Sequence, residues 1–173
     1  MKILLLGANG QVGNELQRTL LVLGELKSCT RAQANLEDLK GLRSLIQDYQ
    51  PNVIVNAAAY TVVDQAESDK NQAELINATS VGVMAQEAKN LDAWLVHYST
   101  DYVFDGEKLE AYIESDATNP VNVYGSTKCK GEELITSSGC KHLIFRTSWV
   151  YGFHGNNFAG NMIRLFQEKD ELS

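Results

Sequence analysis

An α/β fold, a doubly wound parallel sheet with helices on both faces, is what three features of this sequence predict. Short apolar runs alternate with amphipathic stretches along all 173 residues, the order that gives parallel strands joined by helical crossovers. The first run, Lys2 to Leu6, passes at once into glycines at Gly7, Gly10 and Gly13. A helical stretch follows them, and strand, glycine turn and helix together bring backbone N–H groups and a helix N-terminus against a pyrophosphate.

Lys2 to Leu6 is short and apolar enough for a fully buried strand. In the turn, one glycine would reverse the chain, one would let phosphates approach where a Cβ would stand, and one would let the helix pack close. The spacing is G-x-x-G-x-x-G, one residue longer than G-x-G-x-x-G. Residues 14–24 read as the first helix, with Val12, Leu16, Leu20 and Leu23 on its apolar face. Residues 26–30 are a half-polar second strand. An acidic residue at its end would hold the adenosine ribose hydroxyls of a dinucleotide; Thr30 and Arg31 stand there instead. With no carboxylate to repel it, a 2′-phosphate would have Arg31 to pair with, which favours NADPH over NADH. An ordinary surface arginine is the other reading.

Residues 35–49 form an amphipathic helix, with Leu36, Leu39, Leu42, Leu45 and Ile46 to one side and Pro51 as its stop. The β-branched run at 52–59 is a third buried strand. Its closing alanines either leave room for adenine and ribose or fill a crowded core, and Thr61 just beyond offers a hydroxyl. Residues 64–91 are helical with a break near 69–72. Residues 93–98 form the fourth strand and run into Ser99, Thr100 and Asp101. The stretch 102–120, punctuated by Gly106, Asp116 and Asn119-Pro120, is a loop, long enough to expect a function for it. Residues 121–137 are helical, 141–150 form the fifth strand, 152–157 turn, and 158–168 form a last helix. Such a sheet gathers ligands outside the carboxyl ends of its strands, which would bring the glycine turn, Ala59, Thr100, Trp149 and Val150 to one edge.

Composition bounds the function. The length suits one domain, or one domain with the start of another, and 44% hydrophobic residues support a core. A net charge of −7 argues against nonspecific nucleic-acid binding and against an anionic membrane surface. Cys29, Cys129 and Cys140 are odd in number and lack C-x-x-C spacing, so neither a disulfide framework nor a zinc site is read, and no metal ligands are assigned. The opening apolar run is too short for a signal peptide or a membrane span. The Asn77-Ala-Thr79 triplet is then chance rather than a glycosylation site, and the cytoplasm is the expected compartment.

The chemistry sits on the helix after the long loop, at Tyr124-Gly-Ser-Thr-Lys128. Residues four apart share a helix face, with Cβ atoms about 5–6 Å apart. A phenol, with a pKa near ~10, is a poor acid at neutral pH. An ammonium ~5 Å away at an effective dielectric of ~20 would be worth about 3 kcal/mol, roughly two pKa units. Tyr124 would then donate a proton to a developing alkoxide, helped by a cationic nicotinamide after hydride transfer. Lys128 would also hydrogen-bond the nicotinamide ribose, and Ser99 or Thr100 would fix a substrate carbonyl oxygen. Y-x-x-x-K alone is common by chance; its order after the glycine turn and the Ser-Thr strand end carries the reading.

Gly7-x-x-Gly10-x-x-Gly13, Ser99-Thr100 and Tyr124-x-x-x-Lys128 together resemble the extended short-chain dehydrogenase/reductases, whose fold is Rossmann-like. More narrowly, Asn56-Ala-Ala-Ala59, His97-Tyr-Ser-Thr-Asp-Tyr-Val-Phe104, Asn122-Val-Tyr-Gly125 and Phe145-Arg-Thr-Ser-Trp-Val-Tyr151 are similar to the dTDP-4-dehydrorhamnose reductase family, along essentially the whole chain. The resemblance implies NAD(P)H-dependent reduction of the 4-keto group of dTDP-4-dehydro-L-rhamnose, a step towards bacterial cell-surface polysaccharide. By it, Gly10, Gln11 and Val12 would touch the cofactor pyrophosphate, and Thr30, Asn35 and Leu36 the adenosine end. Ala59, Tyr60 and Thr61 would lie along the cofactor. Thr100, Asp101 and Trp149 would contact the dTDP-sugar. Family members often carry Asp where Thr30 and Asn35 stand, which again favours NADPH and leaves NADH as the second cofactor.

Family members also continue well past Ser173. Residues 1–150 would be the dinucleotide-binding domain with its catalytic helix, and 151–173 the start of a substrate-binding portion that is largely absent. Remote binding energy helps position a reacting centre, so such a fragment would be a poor catalyst alone. Two other readings stay open: another epimerase, dehydratase or reductase of the extended family, and a non-catalytic dinucleotide-binding regulatory subunit. Asp101-Tyr102 after Thr100, in place of an Asp-Glu pair, speaks against a dehydratase; an intact Tyr124–Lys128 pair speaks against a non-catalytic subunit. Oligomeric state is open, a homodimer being one option.

Overall fold

Five parallel strands in the order β2-β1-β3-β4-β5 form the sheet, in a computed structural model that describes residues 1–152, 154–155 and 157–168. β1 (Lys2–Leu6) pairs with β2 (Glu25–Cys29) on one side and β3 (Val53–Asn56) on the other. β4 (Trp94–Thr100) and β5 (Lys141–Thr147) extend the sheet beyond β3. Because β2 and β3 flank β1, the winding reverses there, and the carboxyl ends of β1 and β3 diverge around a crevice.

Alternate residues of β1 enter opposite layers, as a strand's period of two requires. Leu4 and Leu6 pack with Ile54, Leu95, Leu42, Ile46, Val81 and Met84. Ile3 and Leu5 pack with Val55 and with Leu16 and Leu20 of α1 (Gln11–Leu20). A strand apolar at nearly every position is what burial on both faces demands. α2 (Leu39–Tyr49) starts at Asp38, whose carboxylate accepts the Gly41 N–H at 3.0 Å. It stops at Gln50, which is left-handed. The remaining helices are α3 (Val63–Ala66), α4 (Lys70–Glu74), α5 (Ser80–Asn90), α6 (Val123–Ser138) and α7 (Phe158–Glu168). Asn122 caps α6 by accepting the Gly125 N–H at 2.7 Å.

Several boundaries differ from the sequence reading. α1 begins at Gln11 because the glycine turn leads straight into the helix, and it ends at Leu20, leaving Leu23 exposed in the following turn. Residues 35–38 are not helical: Asp38 N–H bonds the Asn35 carbonyl in a turn, and Leu36 is buried from there. The expected break near 69–72 lies between Ala66 and Lys70, after which the chain stays helical to Asn90 through a π-helical turn, Leu75–Thr79. β5 ends at Thr147, and Trp149 takes a positive φ of 49° that breaks the extended path. The turn expected at 152–157 and the end of the 151–173 stretch lie partly outside the described residues. Among the described residues no helix is long and apolar enough to cross a membrane, and no cluster of His, Cys, Asp or Glu could hold a metal ion.

Candidate functional site

A cavity of about 790 Å³ runs along the edge where β1, β3, β4 and β5 end. Its floor is the glycine turn. Gly7 has φ +79°, and a Cβ there would stand 2.7 Å from the Ala58 nitrogen. A Cβ on Gly13 would lie 2.0 Å from the Gly7 carbonyl oxygen, so Gly13 serves close packing and is not part of the cavity wall. Gly10, Gln11 and Val12 do line it. Gln11 and Val12 stand in the first turn of α1, at the positive end of the helix dipole, a setting suited to an anion.

Towards β2, Arg31, Asn35 and Leu36 line the wall. Thr30 does not: its N–H and its hydroxyl both donate to Gln33 Oε1, at 2.9 and 3.1 Å. The expectation that no carboxylate stands at this edge is corrected. Glu37 returns through the loop, and its Oε2 accepts from Arg31 Nη2 at 2.5 Å while its Oε1 accepts from Gln72 at 2.6 Å. The hydrogen bonds from Gln72 and Arg31 hold the Glu37 carboxyl below the usual range. In the middle, Ala59 and Thr61 line the cavity together with Ala57 and Ala58. Tyr60 turns away. Its hydroxyl donates to Asp69 at 3.0 Å and its N–H to Asn77 at 2.9 Å.

At the far end Thr100, Asp101, Tyr124, Lys128 and Trp149 meet. Asp101 accepts from Thr100 Oγ1 at 3.1 Å and from the Ser148 hydroxyl at 2.6 Å, tying the ends of β4 and β5 together. Ser148, which the sequence reading passed over, lines the same wall. It follows Thr147 at the strand's carboxyl end, and that position was its only signal. The Tyr102 ring packs edge-on against Tyr124, centroids 5.7 Å apart. Burial pushes the Tyr124 phenol up, a hydrogen bond with Thr100 pulls it down, and the charges of Asp101 and Tyr102 push it up again. The predicted lowering by Lys128 is therefore corrected. The Lys128 amine is itself buried and points at the Tyr98 carbonyl, 2.6 Å away, and at His97. Its pKa falls to about 8, chiefly by burial, with Glu132 opposing.

A parallel sheet whose winding reverses beside a glycine turn, with such a cavity at that point, is a Rossmann-type dinucleotide-binding fold. Within that class the family model described as RmlD substrate binding domain matches residues 1–173, and the chain belongs to this family. It is 49% identical over 172 residues to a dTDP-4-dehydrorhamnose reductase of Burkholderia thailandensis, covering 99% of this chain and 58% of that one. It is 50% identical over 177 residues to the Escherichia coli K12 protein of the same name, covering 100% of this chain and 59% of that one. A crystal structure of dTDP-4-dehydrorhamnose reductase from Bacillus anthracis in complex with NADP superposes with a TM-score of 0.93 at 37% identity, over 97% of this chain and 60% of that one. The chain thus spans a little under three-fifths of the length of the curated relatives it matches.

Proposed function

We propose that this chain is the cofactor-binding and proton-donating part of a dTDP-4-dehydrorhamnose reductase. It reduces the 4-keto group of dTDP-4-dehydro-L-rhamnose to give dTDP-L-rhamnose. One observation carries the reading: Tyr124, Thr100 and Lys128 share a single cavity with the glycine turn and the first turn of α1. The names of the relatives and the NADP in one of them point the same way. Residues 1–150 hold the cofactor and the catalytic helix, and 151–173 begin the portion that closes on the sugar nucleotide.

The residues suit a dinucleotide. A wall free of Cβ at Gly7 and Gly10 and a helix N-terminus suit its pyrophosphate, and small alanines suit the rings above it. NADPH is the favoured form and NADH a usable one. When bound, the reduced nicotinamide supplies the hydride. Thr100 would turn its one hydroxyl proton from Asp101 to the substrate carbonyl oxygen, beside the Tyr124 phenol, aligning acceptor and donor. Tyr124 keeps its proton until an alkoxide develops, because burial favours the neutral phenol, and then donates it. Asp101 holds Thr100 in place, and Trp149 forms the outer wall against the sugar nucleotide. Lys128 hydrogen-bonds the nicotinamide ribose.

The test is NADPH binding by this chain, and NADPH consumption with dTDP-4-dehydro-L-rhamnose by this chain joined to the remaining portion of a full-length relative. Absence of NADPH binding overturns the reading. Tyr124→Phe is expected to lower turnover by roughly 10²–10⁴-fold while NADPH affinity stays within a few-fold. Turnover near the parent's would remove the phenol as proton donor. Lys128→Met is expected to weaken both turnover and NADPH binding, and unchanged affinity would contradict the ribose contact.

A further inference from the structure

Behind the Tyr124 wall lies a buried polar chain of which the proposed reaction uses only the last member, Lys128. Asn56 at the end of β3, His97 in β4 and Lys128 in α6 are all essentially without solvent exposure. Asn56 Nδ2 lies 3.1 Å from His97 Nδ1, and Lys128 Nζ lies 3.2 Å from His97 Nε2. The Asn56 amide has a fixed sense, because its Oδ1 accepts the Ala58 N–H at 3.1 Å and an amide NH₂ cannot accept. Nδ2 therefore faces the imidazole as a donor, and His97 Nδ1 must accept. Burial, with no solvent exposure at the ring, keeps His97 neutral. A neutral imidazole carries a single proton. With Nδ1 accepting, that proton sits on Nε2 and is aimed at Lys128 Nζ.

An ammonium has three donors and no acceptor, so it would meet the Nε2–H donor to donor. The uncharged amine accepts that hydrogen with its lone pair and still donates to the Tyr98 carbonyl. We infer that Asn56 and His97 are positioning residues: by locking the imidazole as the Nε2–H tautomer they present a donor to Lys128 and favour its uncharged amine over the ammonium. Other groups near the amine act differently. Glu132 on α6 favours the charged form, but its carboxylate is shared with Arg146 of β5, at 2.6–3.2 Å, and with the Ser99 hydroxyl of β4. Tyr124, one helical turn away, is held neutral by burial. The tautomer stands on geometry alone; its catalytic consequence, that the lock sets the pH at which Lys128 carries charge beside the ribose and Tyr124, rests on the reductase reading.

The experiment is ¹⁵N NMR of the imidazole nitrogens in this chain, with His97→Gln to assign the signal, and ¹³Cε NMR of Lys128 across pH. The parent is expected to show Nδ1 unprotonated, Nε2 protonated and a Lys128 midpoint near 8. In Asn56→Asp a carboxylate accepts from both Ala58 and the imidazole, so His97 should switch to the Nδ1–H tautomer. Its Nε2 then accepts from the ammonium, and the Lys128 midpoint should rise towards the ordinary lysine range. An Nδ1–H tautomer in the parent overturns the inference whether or not the variant folds. A switched tautomer with an unmoved Lys128 midpoint also overturns it. The Nε2–H tautomer in a chain that binds no NADPH would support the lock while removing the reductase reading.

Discussion

Arg31 shows how much a single side chain's meaning depends on what the fold sets beside it. The sequence places it at the end of the second strand with no acid next to it, as a partner for a 2′-phosphate. In the fold, Glu37 holds it, and Gln72 holds Glu37. A 2′-phosphate would have to compete with that carboxylate for the guanidinium. Glu37→Gln should therefore free Arg31 and raise affinity for NADPH by up to about fivefold, the worth of an exposed charge pair. NADH affinity should barely change, and fluorescence titration of both cofactors reads the ratio; equal gains for both would remove Arg31 from the 2′ position. Lys128 carries the same lesson. Its helical spacing from Tyr124 was legible, but spacing does not say where four methylenes lead. They lead into the sheet, to His97 and the Tyr98 carbonyl.

Among the elements, the π-helical turn Leu75–Thr79 was the least visible in the sequence and is among the most consequential for the site. Asn77 sits in it, buried, and accepts the Tyr60 N–H while donating to the Tyr60 carbonyl and the Thr127 hydroxyl, at 2.9, 3.1 and 3.1 Å. It thereby fastens the loop after β3 to the helix carrying Tyr124 and Lys128. The sequence reading carries one helix straight through this segment, since no Gly or Pro punctuates Leu75–Thr79. Asn77→Leu would strand those backbone and hydroxyl groups, at a cost of about 2–4 kcal/mol. Urea unfolding should show the loss, and NADPH affinity should fall with it. A variant as stable as the parent would mean that water satisfies the freed groups. The glycine turn was legible for the opposite reason: a positive φ and backbone contacts at Gly7 and Gly13 exclude a Cβ, so the chemistry is written in the residue type.

For the whole molecule, burial of Lys128 couples folding to pH. Its proton is held less tightly in the folded chain, near 8, than in the unfolded chain, near 10.5. Between those values the unfolded state binds more protons, so stability rises with pH. Below about 8 the cost of burying the charge is fully present. Measured by urea unfolding, the parent should gain about 2–3 kcal/mol from pH 8 to pH 10 relative to Lys128→Met. Above that window Tyr98 and Tyr124, both raised by burial, reverse the trend, since the unfolded chain loses their protons first. Parallel curves for the two proteins across pH 8–10 would show that Lys128 titrates normally.

The succession of strands and helices along the chain, the glycine turn, the Ser-Thr strand end and the Tyr-Lys helix were all determined by the sequence itself. Each rests on local physics: period, the missing Cβ, or helical spacing. Only the tertiary structure decided that Glu37 would hold Arg31, that Tyr60 would turn towards Asp69, that Ser148 would join Asp101, and that Asn56 would fix the imidazole behind Lys128. These are contacts between side chains distant in sequence or divided by loops, and their directions follow from where the sheet and its crossovers bring the backbone.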